Sequence, residues 1–86
     1  MSVTIELTYE LSKVLGLRRF AVEADSVAEA LAQARARFGG QAEAYDRLTR
    51  VAALAVNGVL IQYQAGLRTP LGEGDTLTFV KAAAGG

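Results

Sequence analysis

The 86-residue sequence contains no cysteine. That excludes disulfides, thiolate metal ligation and a thiol nucleophile. It contains no histidine either, so the commonest general base and the commonest metal ligand are both missing. There is one proline, Pro70. Neither charge is in excess: nine basic residues balance nine acidic ones. This argues against a nucleic-acid footprint or a polybasic membrane patch. No apolar run approaches the roughly 20 residues that span a bilayer, and the opening "MSVTIELTYE" does not read as a signal peptide. The expected location is therefore cytoplasmic. A small enzyme is a poor reading, because scattered carboxylates without a convincing pair are all the acid–base chemistry it would have.

What is present fits one soluble globular domain: half the residues are hydrophobic and about a fifth are charged. "SVTIELTY" alternates, with Val3, Ile5, Leu7 and Tyr9 on one face and Thr4, Glu6 and Thr8 on the other. This predicts a half-buried strand. After a turn at Gly16, "RRFAVEA" predicts a second strand with Phe20 and Val22 inward, antiparallel to the first through a longer loop. "DSVAEALAQARARFGG" predicts the main helix. Ser26 and Glu29 have capping-box spacing, Asp25 suits the positive helix end, and Val27, Ala30, Leu31, Ala34 and Phe38 form a buried stripe. Arg35 and Arg37 suit the last turn, and Gly39 and Gly40 stop the helix.

"QAEAYDRLTR" predicts a short second helix or helical loop. "VAALAVN" is a continuous apolar run and reads as a central strand buried on both faces, ended by a tight turn at Asn57-Gly58. "VLIQY" predicts a short strand. After a turn at Glu73-Gly74-Asp75 comes a last strand, with Leu77 and Phe79 alternating against Thr76, Thr78 and Val80. One helix with one apolar stripe needs one sheet to cover it, so the fold class is α+β in two layers. The domain is expected over 1–81, followed by a flexible diglycine tail over 82–86. No metal site and no nucleotide site is read from the sequence: "LGEGD" lacks the lysine and following helix of a phosphate-binding loop.

The sequence closes "KAAAGG". Small side chains contribute little to a core, but they suit a tail that threads a partner's narrow channel, because glycine has no Cβ to meet the walls. A terminal carboxylate is a poor electrophile until an ATP-using partner adenylates it. The order "VLGL", "DSVAEAL", "VNG", "TPLGEGDTLTF" and a small-residue ending "GG" resembles the MoaD/ThiS sulfur-carrier family. That family has the ubiquitin-like β-grasp fold, a mixed sheet packed against one main helix.

The resemblance implies a carrier, not an enzyme. A ubiquitin-activating-type adenylyltransferase would adenylate the Gly86 carboxylate with ATP and Mg²⁺, and sulfur would then make it a thiocarboxylate for a biosynthetic enzyme. Gly85 and Gly86 match the family's functional ending. The carrier itself would bind no cofactor. "GGQAEAYDRLTR" fills a gap that is shorter in thiamine-thiazole carriers, and so favours the small subunit of molybdopterin synthase, partnered by its large subunit. Carriers for thiamine, cysteine, tRNA thiolation or secondary metabolites are the alternatives, as are a ubiquitin-like modifier of lysines and a plain binding module. Alternation assigns Glu6, Thr8, Thr78 and Val80 to the outward sheet face as a docking surface, with Lys81 standing before the tail.

Overall fold

The computed structural model describes residues 1–81. The predicted 82–86 tail lies outside the described residues. In chain order the elements are β1 (Ser2–Glu6), α1 (Tyr9–Leu15), β2 (Arg19–Glu23), α2 (Val27–Phe38), α3 (Ala42–Thr49), β3 (Ala52–Val56), β4 (Val59–Leu60) and β5 (Thr76–Lys81). Single 3₁₀ turns occur at Gly39–Gln41, Ile61–Tyr63 and Gly66–Arg68. The sheet order is β2-β1-β5-β3-β4. β1 and β5 are parallel, and the other pairs are antiparallel. The helices cover one face of this mixed sheet, giving the ubiquitin-like β-grasp.

Strand alternation builds the core. Val3 pairs with Val22, Ile5 with Phe20 and with Leu77, and Leu54 with Phe79. All these side chains point to the helical layer, and all but the half-buried Leu54 are buried. The stripe of α2 meets them through Val27, Ala30, Ala34 and Phe38, with Leu31 half-buried at its margin. Each fully buried Leu, Ile or Val contributes about 1.5–3 kcal/mol relative to exposure. Tyr45 of α3 completes an aromatic cluster, 5.0 Å from the Phe38 ring and 6.0 Å from the Phe79 ring between centroids.

The helix start follows the sequence closely. Ser26 Oγ accepts the Glu29 N–H at 3.2 Å, and Glu29 reaches back to the Asp25 N–H at 2.6 Å. Gly39 stops α2 at φ +50°, while Gly40 continues into the 3₁₀ turn. The weakly patterned "QAEAYDRLTR" is the helix α3.

Three sequence expectations differ from the structure. The first strand ends at Glu6, not Tyr9. Thr8 instead caps α1, its Oγ1 accepting the Leu11 N–H, and α1 buries Leu11 completely while Tyr9 is 62% exposed. The alternation through Tyr9 was coincidental; burying Leu11, with Val14 and Leu15 packed behind it, decides the local structure. β3 is not a central strand buried on both faces. It lies inside the sheet, between the middle strand β5 and the two-residue β4, but Ala52, Ala53 and Leu54 are only half-buried. "VLIQY" pairs only through Val59 and Leu60 before it coils into a 3₁₀ turn. Among the described residues, no helix is long and apolar enough to cross a membrane.

Candidate functional site

The candidate site is the end of the described chain at Lys81, ahead of the tail expected from the sequence. A latch between two sequence-distant turns holds the other end of β5, at Thr76. Asn57 and Gly58 form the β3–β4 turn with φ +50° and +86°, both in the left-handed region that an Asn-Gly pair accepts. The Asn57 side chain does more than turn the chain. Its Nδ2 donates to Asp75 Oδ1 at 3.0 Å, and its Oδ1 accepts the Thr76 N–H at 3.0 Å. Asp75 Oδ2 accepts the Gly72 N–H at 2.8 Å. The Gly72 amide, and then the Asn57 amide, hold the Asp75 carboxyl below the usual carboxylate range. The carboxylate is a structural acceptor. Nearby, Thr69 and Asp25 carbonyls take the Val27 and Leu71 amides, docking the Pro70 segment on the start of α2. Together these bonds tie the start of β5 to the β3–β4 turn and the Pro70 segment to the start of α2.

The structure divides the predicted docking residues between two surfaces. Glu6, Thr78 and Val80 lie on the open face of the sheet. Glu6 and Thr78 are register partners, with Thr78 Oγ1 donating to Glu6 Oε1 at 3.5 Å. Arg19 Nε lies 3.4 Å from Glu6 Oε2, a surface ion pair of small energetic weight. Val80 pairs with Ala53 and Thr78 with Ala55, so small side chains continue this face across β3. Thr8 is not on it, because the strand has already ended. Lys81 follows Phe79 in the alternation and turns to the helical side. Thr8 and Lys81 meet instead at a hollow of about 240 Å³, lined also by Glu10, Leu48, Val51 and Ala52. Val51 is 67% exposed, an apolar side chain in the open beside the tail root.

Sequence reasoning missed Glu10, Leu48 and Val51 as neighbours of Lys81. No local pattern brings them there; α1 and α3 do so only by packing together over β3. The arginines of α2 face structural partners. Arg35 holds Asp46 of α3 through two bonds of 2.8 and 2.9 Å, and Arg37 lies 4.7 Å over the Phe20 ring. That hydrogen-bonded guanidinium keeps the Asp46 carboxyl below its ordinary value. Burial pushes the Tyr45 hydroxyl up to about 12, and it donates to the Leu31 carbonyl at 3.1 Å. Gly85 and Gly86 lie outside the described residues. Among the described residues no three carboxylates converge to hold a metal ion.

Comparison with known proteins agrees with the fold. No curated protein matches the sequence. A chain of the BexX/CysO complex from Amycolatopsis orientalis is 26% identical, with TM-score 0.80 over 98% of this chain and 99% of that one. The small archaeal modifier protein 1 of Methanosarcina acetivorans has TM-score 0.79 at 17% identity, covering 99% of this chain and 96% of that one. A chain of the complex of subunits 1 and 2 of molybdopterin-converting factor from Helicobacter pylori has TM-score 0.69 at 24% identity, with both chains covered completely. The last two share the fold. The ThiS family profile matches residues 9–86, from the start of α1 through the diglycine. The chain belongs to the ThiS family.

Proposed function

We propose that this protein carries sulfur as a thiocarboxylate on Gly86. The observation that carries the reading is the family match running through residue 86, with the sequence there being Gly85-Gly86. In the proposed cycle the Gly86 carboxylate attacks the α-phosphate of ATP in a ubiquitin-activating-type enzyme that also holds Mg²⁺, and pyrophosphate leaves. Sulfide from a donor then attacks the acyl carbon, forming the C–S bond as the bond to AMP breaks. The thiocarboxylate passes its sulfur to a biosynthetic enzyme. Catalytic groups belong to those partners; this chain supplies the acyl terminus and the surface that presents it.

The division of surfaces gives each part a role. Glu6, Thr78 and Val80 present an open sheet face, continued by Ala53 and Ala55, against which a partner can rest. Lys81, with Thr8, Glu10 and Val51, forms the collar from which residues 82–86 reach into the partner's active site. We infer the small subunit of molybdopterin synthase as the first pathway to test, since α3 occupies the stretch that the thiamine-thiazole carriers keep shorter.

The test is intact mass before and after incubation with ATP, Mg²⁺, an activating-type enzyme from the same source and a sulfide donor. The expected result is replacement of one oxygen by sulfur, localised to Gly86 by fragmentation. ATP turnover without sulfur gain, together with diglycine remnants on lysines of other proteins, would replace the carrier reading with that of a modifier.

A further inference from the structure

β3 has an unfinished edge. The Asn57 N–H bonds the Thr76 carbonyl of β5, and strand alternation then points the amides of Ala55 and Ala53 to β5 as well. The amides of Ala52 and Leu54 must face the other way. There β4 pairs only as far back as Ala55, because the chain coils at Ile61. Among the described residues no strand covers Ala52–Leu54 on that side.

The edge is flanked by the 3₁₀ turns at Ile61–Tyr63 and Gly66–Arg68, but it carries no charge. The opposite edge of the sheet, β2, carries Arg19 and Glu23 at its two ends, the kind of charge that discourages strand addition. The side chains lining the notch beside Ala52–Leu54 are all uncharged. This notch measures about 350 Å³ and is bordered by Leu60, Ile61 and Leu67, the last 54% exposed. A second hollow of about 270 Å³ opens on the helical side over Leu31, Tyr45, Leu54 and Phe79. The two hollows meet at Leu54. An edge with outward amides and apolar space beside it fits an extended peptide, whose main chain bonds the edge and whose side chains fill the hollows.

We propose that the Ala52–Leu54 edge accepts an extended, uncharged segment of the activating enzyme, added as a sixth strand. The edge ends at Ala52, which is the register partner of Lys81 and lines the tail-root hollow. A segment held there is already at the tail. The choice of partner rests on the carrier reading, in which the activating enzyme is the first protein the tail enters. Other occupants fit less well. Residues 82–86 offer nothing larger than a methyl group, and a second copy would bring only its own alanine-rich edge.

The experiment follows amide hydrogen exchange of the ¹⁵N-labelled full chain by NMR, with and without unlabelled activating-type enzyme and without ATP. Exchange at Ala52 and Leu54 is expected to slow at least tenfold on binding, while Ala53 and Ala55, already bonded to β5, change little. Leu67→Glu, outside the sheet, is expected to raise the Kd at least tenfold with an unchanged unfolding midpoint. Binding that leaves Ala52 and Leu54 unprotected overturns the edge proposal alone; sulfur loading of Gly86 would still stand. Absence of binding overturns it as well, and the mass assay then decides the carrier reading separately. Protection that grows with protein concentration in the absence of enzyme assigns the edge to a second copy and overturns the proposal.

Discussion

Truncating Leu11 to alanine tests the local structure that brings Thr8 and Glu10 to the tail root. Leu11 is 0% exposed within α1, whereas Tyr9, two residues earlier, is 62% exposed. Leu11→Ala removes three buried carbons, about 2.4 kcal/mol at about 0.8 kcal/mol each. The unfilled cavity brings the loss to about 3–4 kcal/mol. Alanine's better helix propensity returns only a few tenths of a kcal/mol. Tyr9→Ala loses mainly the exposed contact with Lys13, whose Nζ lies 5.1 Å from the ring centroid, so its cost stays under about 1 kcal/mol. Urea unfolding followed by circular dichroism measures both variants. With an m-value of about 1–1.5 kcal/mol/M, Leu11→Ala lowers the midpoint by about 2–4 M and Tyr9→Ala by less than about 1 M. The alternating-strand reading of residues 3–9 demands the reverse order, with Tyr9 in the core. A Tyr9 variant as damaged as the Leu11 variant would refute the packing described for α1.

Two further outcomes are expected. Deleting Gly86 abolishes sulfur loading by mass spectrometry but shifts stability by less than about 0.5 kcal/mol; a large loss in Tm would show that the tail is structural. The Asp75 carboxyl has its folded pKa depressed by the Gly72 and Asn57 amides. Its stabilisation is therefore fully present above the unfolded value of about 3.9 and is lost as pH falls through the lower folded value. Urea midpoints measured from neutral pH downward should fall less steeply for Asp75→Asn than for the parent, and identical slopes would remove Asp75 from the latch.

The elements legible in the sequence are those whose cause is local. α2 announces itself because Ser26, Glu29 and the apolar stripe all act within a few turns, and Gly39 ends it by its backbone alone. Asn57-Gly58 is legible for the same reason. α1 was hidden because Thr8 and Tyr9 extend the strand rhythm, and only the depth available for Leu11 breaks it. β3 misled because an apolar run looks alike whether both its faces are covered or its small side chains simply leave little to cover.

The candidate site divides along the same line. Gly85-Gly86 and the landmarks around Asn57 and Asp75 were determined by the sequence, since they depend on residue identity and order. That Asn57 bonds Asp75 across 18 residues was decided by tertiary structure. So was the separation of Thr8 and Lys81 from Glu6, Thr78 and Val80, because a strand's faces are known only once its end is known. The unpaired edge at Ala52–Leu54 likewise exists only in three dimensions: strand order and the early coiling at Ile61 determine which amides are left facing outward, and neither is written in any single stretch of sequence.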